Sequence, residues 1–264
     1  MEKLTLSHIE KLIELEKQVR YDDFPPVGQL PFEIINCDSP VLISAPHGAI
    51  TFRNDGKQIW HEEDEYTAGM ALLLSEICNT PAIIMKAKCG EYDPNNTERE
   101  DIPYKREIQR LIEGRGVRFI IDLHGAALHS PMLDADQTID LGIRQKSPAD
   151  KPSIELEHVE QLELLLSTMD SGCKPSDFVV RRNRFSASNP GTITTFASKQ
   201  KSINSGMKVQ AIQIEMKPLL RVVKRFPSAT LYKSCGPYEA NPFSVLHMLQ
   251  SLVNFVVYLK NQAD

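Results

Sequence analysis

Cysteine is scarce in this 264-residue chain, and positive charge is not in excess. The five cysteines are odd in number, scattered and without a Cys-x-x-Cys pair. This pattern favours reduced thiols in the cytoplasm over a disulfide scaffold or a cysteine-rich zinc site. Lys and Arg total 30 against 35 Asp and Glu, which gives a formal net charge of -5. Such mild acidity argues against a nucleic-acid partner, because nucleic-acid binders usually carry a basic surface.

Long apolar runs are also missing. No stretch reaches the roughly 18 consecutive apolar residues of a membrane span. The run that comes closest, "SVLHMLQSLVNFVVYLK", is interrupted by His247, Gln250 and Asn254, and we expect it to form a buried terminal helix. The N-terminus is charged and amphipathic and has no apolar signal-peptide core. The sequence therefore predicts a cytoplasmic protein without a membrane partner.

Several catalytic and nucleotide-binding motifs are absent as well. There is no Gly-x-Ser-x-Gly stretch, so a serine hydrolase of that type has no visible centre. There is no Gly-x-x-x-x-Gly-Lys-Ser/Thr loop and no Gly-x-Gly-x-x-Gly turn. ATP-dependent and dinucleotide-dependent chemistry thus lacks support.

Apolar strands alternate with helical patterns along the chain, which is typical of an α/β fold with a largely parallel sheet covered on both faces. No composition shift marks a boundary, so we expect one domain over 1–264 with its core in 40–222. The segment 130–152 is expected to be a surface excursion. Helices are predicted over 3–20, 62–78, 103–114 (closed by Gly114), 153–170 and 242–261, and strands at 40–46, "PAIIMKAK", "VRFIIDLHG", "DFVVRRNR" and "KVQAIQIEM".

Two of these strands run directly into a His-Gly pair. "VLISAPHGA" contains His47-Gly48, and "RFIIDLHGA" contains His124-Gly125. In open α/β sheets ligands bind beyond the carboxyl ends of the strands, so both imidazoles are expected at that edge. Histidines placed there can bind a metal, act as acid and base, or cap a turn, and the two residues alone leave these alternatives open.

Four acidic residues, 62–65, open the helix predicted after the first His-Gly pair. They complement the helix dipole if they face solvent. If one of them turns toward the histidines, two imidazoles and one carboxylate form the usual open zinc site. Any one of the four could supply that carboxylate.

A glutamate also falls within the apolar strand "VQAIQIEM". By the period of two, Glu215 shares a face with Gln213. Burying a carboxylate costs folding free energy unless the group is paired or has a role in catalysis, so Glu215 is a candidate general base. The alternative is an edge-strand residue that faces water.

The succession "SAPHGA", "EDEYTAGMA", "DLHGA", "NPGTITTFA" and "AIQIEM" resembles the N-formylglutamate amidohydrolase family over residues 40–222. The resemblance implies a three-layer α/β/α sandwich with a mixed, largely parallel central sheet, akin to zinc carboxypeptidases. It also implies a zinc-dependent hydrolase that cuts the amide of an N-acyl amino acid. By position, the resemblance implies that His47, Asp64 and His124 are the metal ligands, with Glu63 and Glu65 as alternatives to Asp64, and that Glu215 is the general base.

The chain departs from this family where substrate arginines are expected. The family's Asp-Leu-Asn-Arg stretch corresponds to Asp93–Asn96 here, and its Thr-Arg pair corresponds to Thr194-Thr195. Arginine is the natural partner of a substrate carboxylate, through paired hydrogen bonds. The substrate-binding candidates are therefore Arg53, Asn95, Arg182 and Arg184.

The function expected from the sequence is zinc-dependent hydrolysis of a small-molecule N-acyl amino acid similar to N-formylglutamate. A carboxypeptidase-like enzyme acting on a short peptide or another acyl-amino acid is an alternative. A ligand-binding protein of the same fold without turnover is another. Zinc is the default metal, with manganese, iron and cobalt as other divalent candidates.

Overall fold

A seven-stranded sheet organises the chain. The computed structural model describes residues 3–54, 58–128, 130, 132–133, 138–168, 178–202, 206–230 and 239–263. The strands are β1 (Phe32–Ile35), β2 (Val41–Ala45), β3 (Thr51–Asn54), β4 (Gln58–His61), β5 (Ala82–Met85), β6 (Phe119–Gly125), β7 (Thr138–Gly142), β8 (Val179–Arg182) and β9 (Gln210–Met216). The helices are α1 (Leu6–Glu16), α2 (Thr67–Cys78), α3 (Pro103–Arg115), α4 (Leu156–Ser167), α5 (Ile193–Ala197) and α6 (Pro242–Asn261), with a 3₁₀ turn at Pro218–Leu220.

The strand order in the main sheet is β1-β5-β2-β6-β9-β7-β8. The four central strands, β5, β2, β6 and β9, are mutually parallel. At one side β1 is antiparallel to β5, and at the other β7 is antiparallel to β9 and parallel to β8. Strands β3 and β4, which lie between β2 and α2 in the sequence, form a separate antiparallel hairpin.

Helices cover both faces of this sheet. On one face α1, α2, α4 and α6 pack against one another, and on the other α3 contacts α5. This confirms the predicted three-layer α/β/α sandwich with a mixed, largely parallel sheet. Among the described helices, only α6 is long and apolar enough to cross a membrane, and 67% of its apolar window is buried within the protein.

The prediction that 130–152 forms a surface excursion is wrong for the middle of this segment. Residues Thr138–Gly142 form β7, which is buried between β9 and β8. Asp140 interrupts the apolar run and hides the strand from pattern analysis. Its carboxylate accepts hydrogen bonds from the backbone N–H groups of Arg184 and Phe185, which satisfies it inside the protein.

Two helix boundaries also differ from prediction. The second helix begins at Thr67 rather than at residue 62, so the four acidic residues precede it. The third helix runs through Gly114 and ends at Arg115, because Gly116 adopts the left-handed conformation, φ 69°, that closes it.

A buried glutamate from α1 supplies the cap that α2 lacks. Tyr66, at the start of α2, makes no side-chain capping bond. Glu16 instead accepts hydrogen bonds from the backbone N–H groups of Tyr66 (2.6 Å) and Gly69 (2.7 Å) and from the Tyr21 hydroxyl. Glu16 thereby fixes the chain segment that leads into α2. Burial raises the pKa of Glu16 to about 7, despite these hydrogen bonds.

This raised pKa predicts a specific dependence of stability on pH. The native state retains a proton on Glu16 between pH 4.5, its ordinary pKa, and about 7, whereas the unfolded chain loses it. The stability due to this group is therefore lost as pH rises through that window, by about 3 kcal/mol in total. Urea unfolding of wild type and Glu16→Gln at pH 5 and pH 8 measures this, because all other carboxylates are common to both proteins. Parallel pH profiles would show that Glu16 does not titrate in this range.

Candidate metal centre

Two histidines meet at the carboxyl edge of the central strands. His47 follows β2 by two residues, and His124 is the penultimate residue of the adjacent parallel strand β6. Their ring centroids are 4.9 Å apart, and both side chains are buried. Both imidazoles thus lie at the sheet edge where they were expected, and they meet there.

Asp64 lies between the two imidazoles. Its Oδ2 is 3.5 Å from His47 Nδ1 and 3.3 Å from His124 Nδ1. Its backbone N–H donates to the His47 carbonyl oxygen at 2.7 Å, which ties the segment before α2 to the end of β2. The three side chains thereby present three potential ligand atoms to one point.

The other two acidic candidates have different partners. Glu63 accepts hydrogen bonds from the backbone N–H and the hydroxyl of Thr230, at 2.6 and 2.7 Å. Glu65 accepts from Arg225 Nε at 3.1 Å. Of these three buried carboxylates, only that of Asp64 is placed against the histidines.

A second carboxylate orients each imidazole. His47 Nε2 is 2.7 Å from Asp93 Oδ1, and His124 Nε2 is 3.1 Å from Asp122 Oδ2. A neutral imidazole that donates from Nε2 carries its lone pair on Nδ1, the atom that faces Asp64 in both cases. Carboxylate–histidine pairs of this kind are the usual support of metal-binding histidines.

The donor set fits a divalent cation. Ligand atoms about 2.0–2.1 Å from a tetrahedral zinc ion are about 3.3 Å from one another, close to the two distances measured here. Burial acts to lower the pKa of each histidine, but Asp93 beside His47 and Asp122 beside His124 outweigh it, and both pKa values are raised. The cluster therefore attracts positive charge, which a metal dication would supply.

A second group that could hold a metal shares His47 with the first. His47, His61 and Asp93 also place one ligand atom each within 4.8 Å of one another. However, Asp93 already accepts from Arg53 Nε at 2.5 Å and from the backbone N–H of Asn95 at 2.9 Å. His61 stacks on His47 with 4.0 Å between ring centroids. These contacts favour Asp93 as an orienting carboxylate and the Asp64 group as the metal centre.

Glu215 lies directly beside His124. The two residues are register partners on β9 and β6, and β9 is an internal strand between β6 and β7. The alternative of a water-facing edge residue is therefore wrong. Gln213 Nε2 donates to Glu215 Oε1 at 2.9 Å, as their shared face predicts. Burial raises the pKa of Glu215 to about 7.

The four substrate-binding candidates separate into different surroundings. Arg53 reaches the centre through Asp93. Asn95 is close by, but its Oδ1 accepts the backbone N–H of Ile193 at 2.8 Å and so starts α5. Arg182 pairs with Glu163 of α4, and the backbone N–H of Arg184, whose side chain is exposed, bonds Asp140. Arg53 is thus the one of the four candidates whose side chain contacts the carboxylate that bonds His47, whereas Asn95 contacts Asp93 through its backbone N–H.

Sequence reasoning missed three residues around the histidines: Asp122 and Arg221, which are buried, and His61, which is half-buried. Asp122 had a readable signal, because it precedes His124 by two residues in one strand and must share its face. His61 and Arg221 come from a hairpin and a turn without such a pattern. Arg221 packs its guanidinium against Gly125 and donates to the Met216 and Glu65 carbonyl oxygens.

Close packing explains why glycine follows both histidines. A Cβ on Gly48 would overlap the Met85 carbonyl oxygen and stand 2.7 Å from the Ala68 Cβ. A Cβ on Gly125 would stand 2.5 Å from the Arg221 Cζ. At each position a neighbouring residue packs directly against the glycine backbone, so there is no room for a side chain beside the histidine.

We expect Gly48→Ala to destabilise the protein by about 1–3 kcal/mol, the usual cost of forcing extra volume into a packed interior. The mutation should also weaken zinc binding, because relief of the overlap moves His47. Gly114→Ala is the matched control, since its Cβ meets nothing within 4 Å and α3 gains a better helix former. Urea unfolding and zinc titration measure both effects. Equal stability of the two variants would contradict the packing account.

The same fold occurs in two solved hydrolase structures. N-formylglutamate amidohydrolase from Ralstonia eutropha JMP134 superposes with a TM-score of 0.55 and 16% identity, over 88% of this chain and 99% of that chain. A bacteriophage poly-gamma-glutamate hydrolase gives a TM-score of 0.51 and 13% identity, over 90% and 93% of the two chains. No protein-family model and no curated protein matches the sequence. The resemblance drawn from the five motifs is thus confirmed as a likeness of fold.

Proposed function

We propose that this protein is a zinc-dependent amidohydrolase that cleaves the amide of an N-acyl amino acid similar to N-formylglutamate. The observation that carries the proposal is the convergence of His47 Nδ1, Asp64 Oδ2 and His124 Nδ1, with Glu215 beside them. The fold supports it, because the two similar structures are named for N-formylglutamate and for poly-gamma-glutamate. The proposal treats the whole chain as one cytoplasmic domain, consistent with free thiols at Cys37, Cys78 and Cys89.

The protein residues divide the work of this reaction. His47, Asp64 and His124 would hold the metal, while Asp93 and Asp122 fix the two rings. A bound zinc ion would lower the pKa of its water toward about 7 and would polarise a carbonyl group. Glu215 accepts the proton from the attacking water and returns it to the departing nitrogen, a role for which its position beside His124 suits it.

Arg53 is the proposed anchor for the carboxylate of the substrate. Within the described part of the chain it hydrogen-bonds through Nε, to Asp93 Oδ2, and its side chain is 30% exposed. This places a partly exposed guanidinium next to Asp93, the carboxylate that bonds His47. Asp93 fixes the orientation of the Arg53 guanidinium through Oδ2 and hydrogen-bonds His47 Nε2 through Oδ1.

The zinc-loaded protein should hydrolyse N-formyl and N-acetyl amino acids with a free α-carboxylate in preference to their α-carboxamides. Arg53→Met should raise KM for the carboxylates about 10–100-fold, since a hydrogen bond to a charged group contributes about 1.5–3 kcal/mol. It should leave KM for the carboxamides nearly unchanged. Arg182→Met, which removes an arginine paired with Glu163, is the control.

Three outcomes of this substrate screen would count against the proposal. Turnover of short peptides alone would favour the carboxypeptidase-like alternative. Saturable binding without hydrolysis would favour a ligand-binding protein. If Arg53→Met lost activity equally on the carboxylate and the carboxamide substrates, Arg53 would support the centre through Asp93 and would not bind the substrate carboxylate.

A further inference from the structure

A cavity opens at the edge of the sheet opposite the metal centre. Its volume is about 670 Å³, and it is lined by the start of β9, the segment that leads into α4, and residues that follow β7. Gln210 lies at this end of β9, five residues before Glu215, so about 16 Å of strand separates the cavity from the centre. The cavity lies within the range of about 300–1,000 Å³ typical of small-molecule sites.

Positive charge gathers in this cavity although the chain as a whole is acidic. The cationic lining residues are Arg144, Lys146, Lys151 and Lys208, and the anionic ones are Asp150 and Glu155. The Asp150 carboxylate is already occupied, because it accepts the backbone N–H groups of Lys146 (2.9 Å) and Ser147 (2.7 Å). The cavity therefore offers more positive than negative charge to a ligand.

Arg144 is held rigidly in the cavity wall. It is a non-glycine residue in the left-handed region, with φ 63°, and its backbone N–H donates to the Ser186 carbonyl at 2.6 Å. Its Nη1 donates to the Ser198 hydroxyl at 2.7 Å, whereas its Nε is buried and has no hydrogen-bond partner in the described structure. Backbone strain of this kind tends to occur at functional sites, and a fixed guanidinium fork matches oxyanions.

The amino end of α4 adds to the same wall. Its first residues follow Glu155, which lines the cavity and makes no side-chain capping bond to the helix. The start of this 12-residue helix carries partial positive charge, part of which is offset by Glu157 in its first turn. The Glu155 backbone N–H is tied to Gln210 Oε1 at 2.8 Å, which joins the helix start to β9.

From this combination we infer that the cavity binds a small polyanion, either a phosphate ester or a dicarboxylate, at a site separate from the metal centre. Arg144 supplies a positive charge held in place, the amino end of α4 adds the partial positive charge of its dipole, and Lys146, Lys151 and Lys208 add charge from the rim. A monoanion such as acetate would engage too few of these groups to bind measurably.

Isothermal titration of the full-length protein at constant ionic strength tests the inference, with inorganic phosphate and glutarate as probes and acetate as the monoanion control. We expect saturable binding of one probe per chain. Binding should be at least 10-fold weaker in Arg144→Met and in the double variant Lys151→Gln/Lys208→Gln. It should be unchanged in the surface controls Arg110→Met and Lys11→Gln/Lys17→Gln.

The double lysine variant keeps the test decisive if Arg144→Met fails to fold, because both lysines are exposed. Binding of phosphate alone would identify a phosphate ester as the ligand class, and binding of glutarate alone a dicarboxylate. The His124→Ala variant should bind the probe as wild type does, since the cavity does not depend on the metal. No saturable binding of either probe, full affinity in the lysine variant, or loss of binding in His124→Ala would overturn the inference.

Discussion

Glu215→Gln should lower kcat on N-acyl amino acids by about 10²–10⁴-fold, the usual contribution of a positioned general base. The change retains the shape of the side chain, and Gln213 can still hydrogen-bond the remaining oxygen. It removes only the ability to accept and return a proton. Metal content should stay at one zinc per chain, because Glu215 is not among the three converging ligands.

The control for this variant is Glu113→Gln, on the exposed face of α3, which should retain full activity. Zinc content measured on the same samples separates a lost base from a lost metal. A Glu215→Gln enzyme within a few-fold of wild type would remove Glu215 from the reaction. A zinc-free Glu215→Gln enzyme would instead move this residue into the ligand set.

His124→Ala should lose zinc and, with it, all measurable hydrolysis. His124 carries one of the three proposed ligand atoms and is the residue through which Asp122 and Asp64 are connected. Affinity should fall by more than the roughly 10–100-fold seen when only a supporting carboxylate is removed. Competition with a chromophoric chelator measures this affinity directly.

Asp122→Asn gives the intermediate case for the same assay. It keeps all three ligand atoms but replaces the carboxylate that orients His124, so zinc affinity should fall by about 10–100-fold. His8→Ala, at the exposed start of α1, is the histidine control and should bind zinc as wild type does. Undiminished zinc in His124→Ala after dialysis would contradict the assignment of this residue as a ligand.

The positions of the strands and of the two histidines were predictable because they follow local rules. The apolar runs of β2 and β6 are buried on both faces, and such runs identify central parallel strands. Parallel strands end at a common edge, so His47 and His124 were expected at the same edge once both strands were recognised. That β2 and β6 are neighbours is seen only in the strand order of the folded sheet. The shared face of Gln213 and Glu215 followed from the period of two in the same way.

The remaining parts of the site depend on contacts between distant segments. The pattern of acidic residues before α2 suggested a helix start in solvent, but the cap that α2 requires comes from Glu16, about 50 residues earlier. Asp93 lies in a loop, where no sequence periodicity predicts its contact with His47. Strand β7 escaped notice because Asp140 interrupts it and is satisfied only by the backbone at Arg184 and Phe185.

The most direct test of the account is a crystal structure of the zinc-loaded protein with anomalous data collected on both sides of the zinc absorption edge. The account predicts one strong anomalous peak about 2.0–2.2 Å from His47 Nδ1, His124 Nδ1 and one Asp64 carboxylate oxygen. A peak held by His61 and Asp93, or no peak in protein that has been supplied with zinc, would contradict the assignment of this cluster as the metal centre.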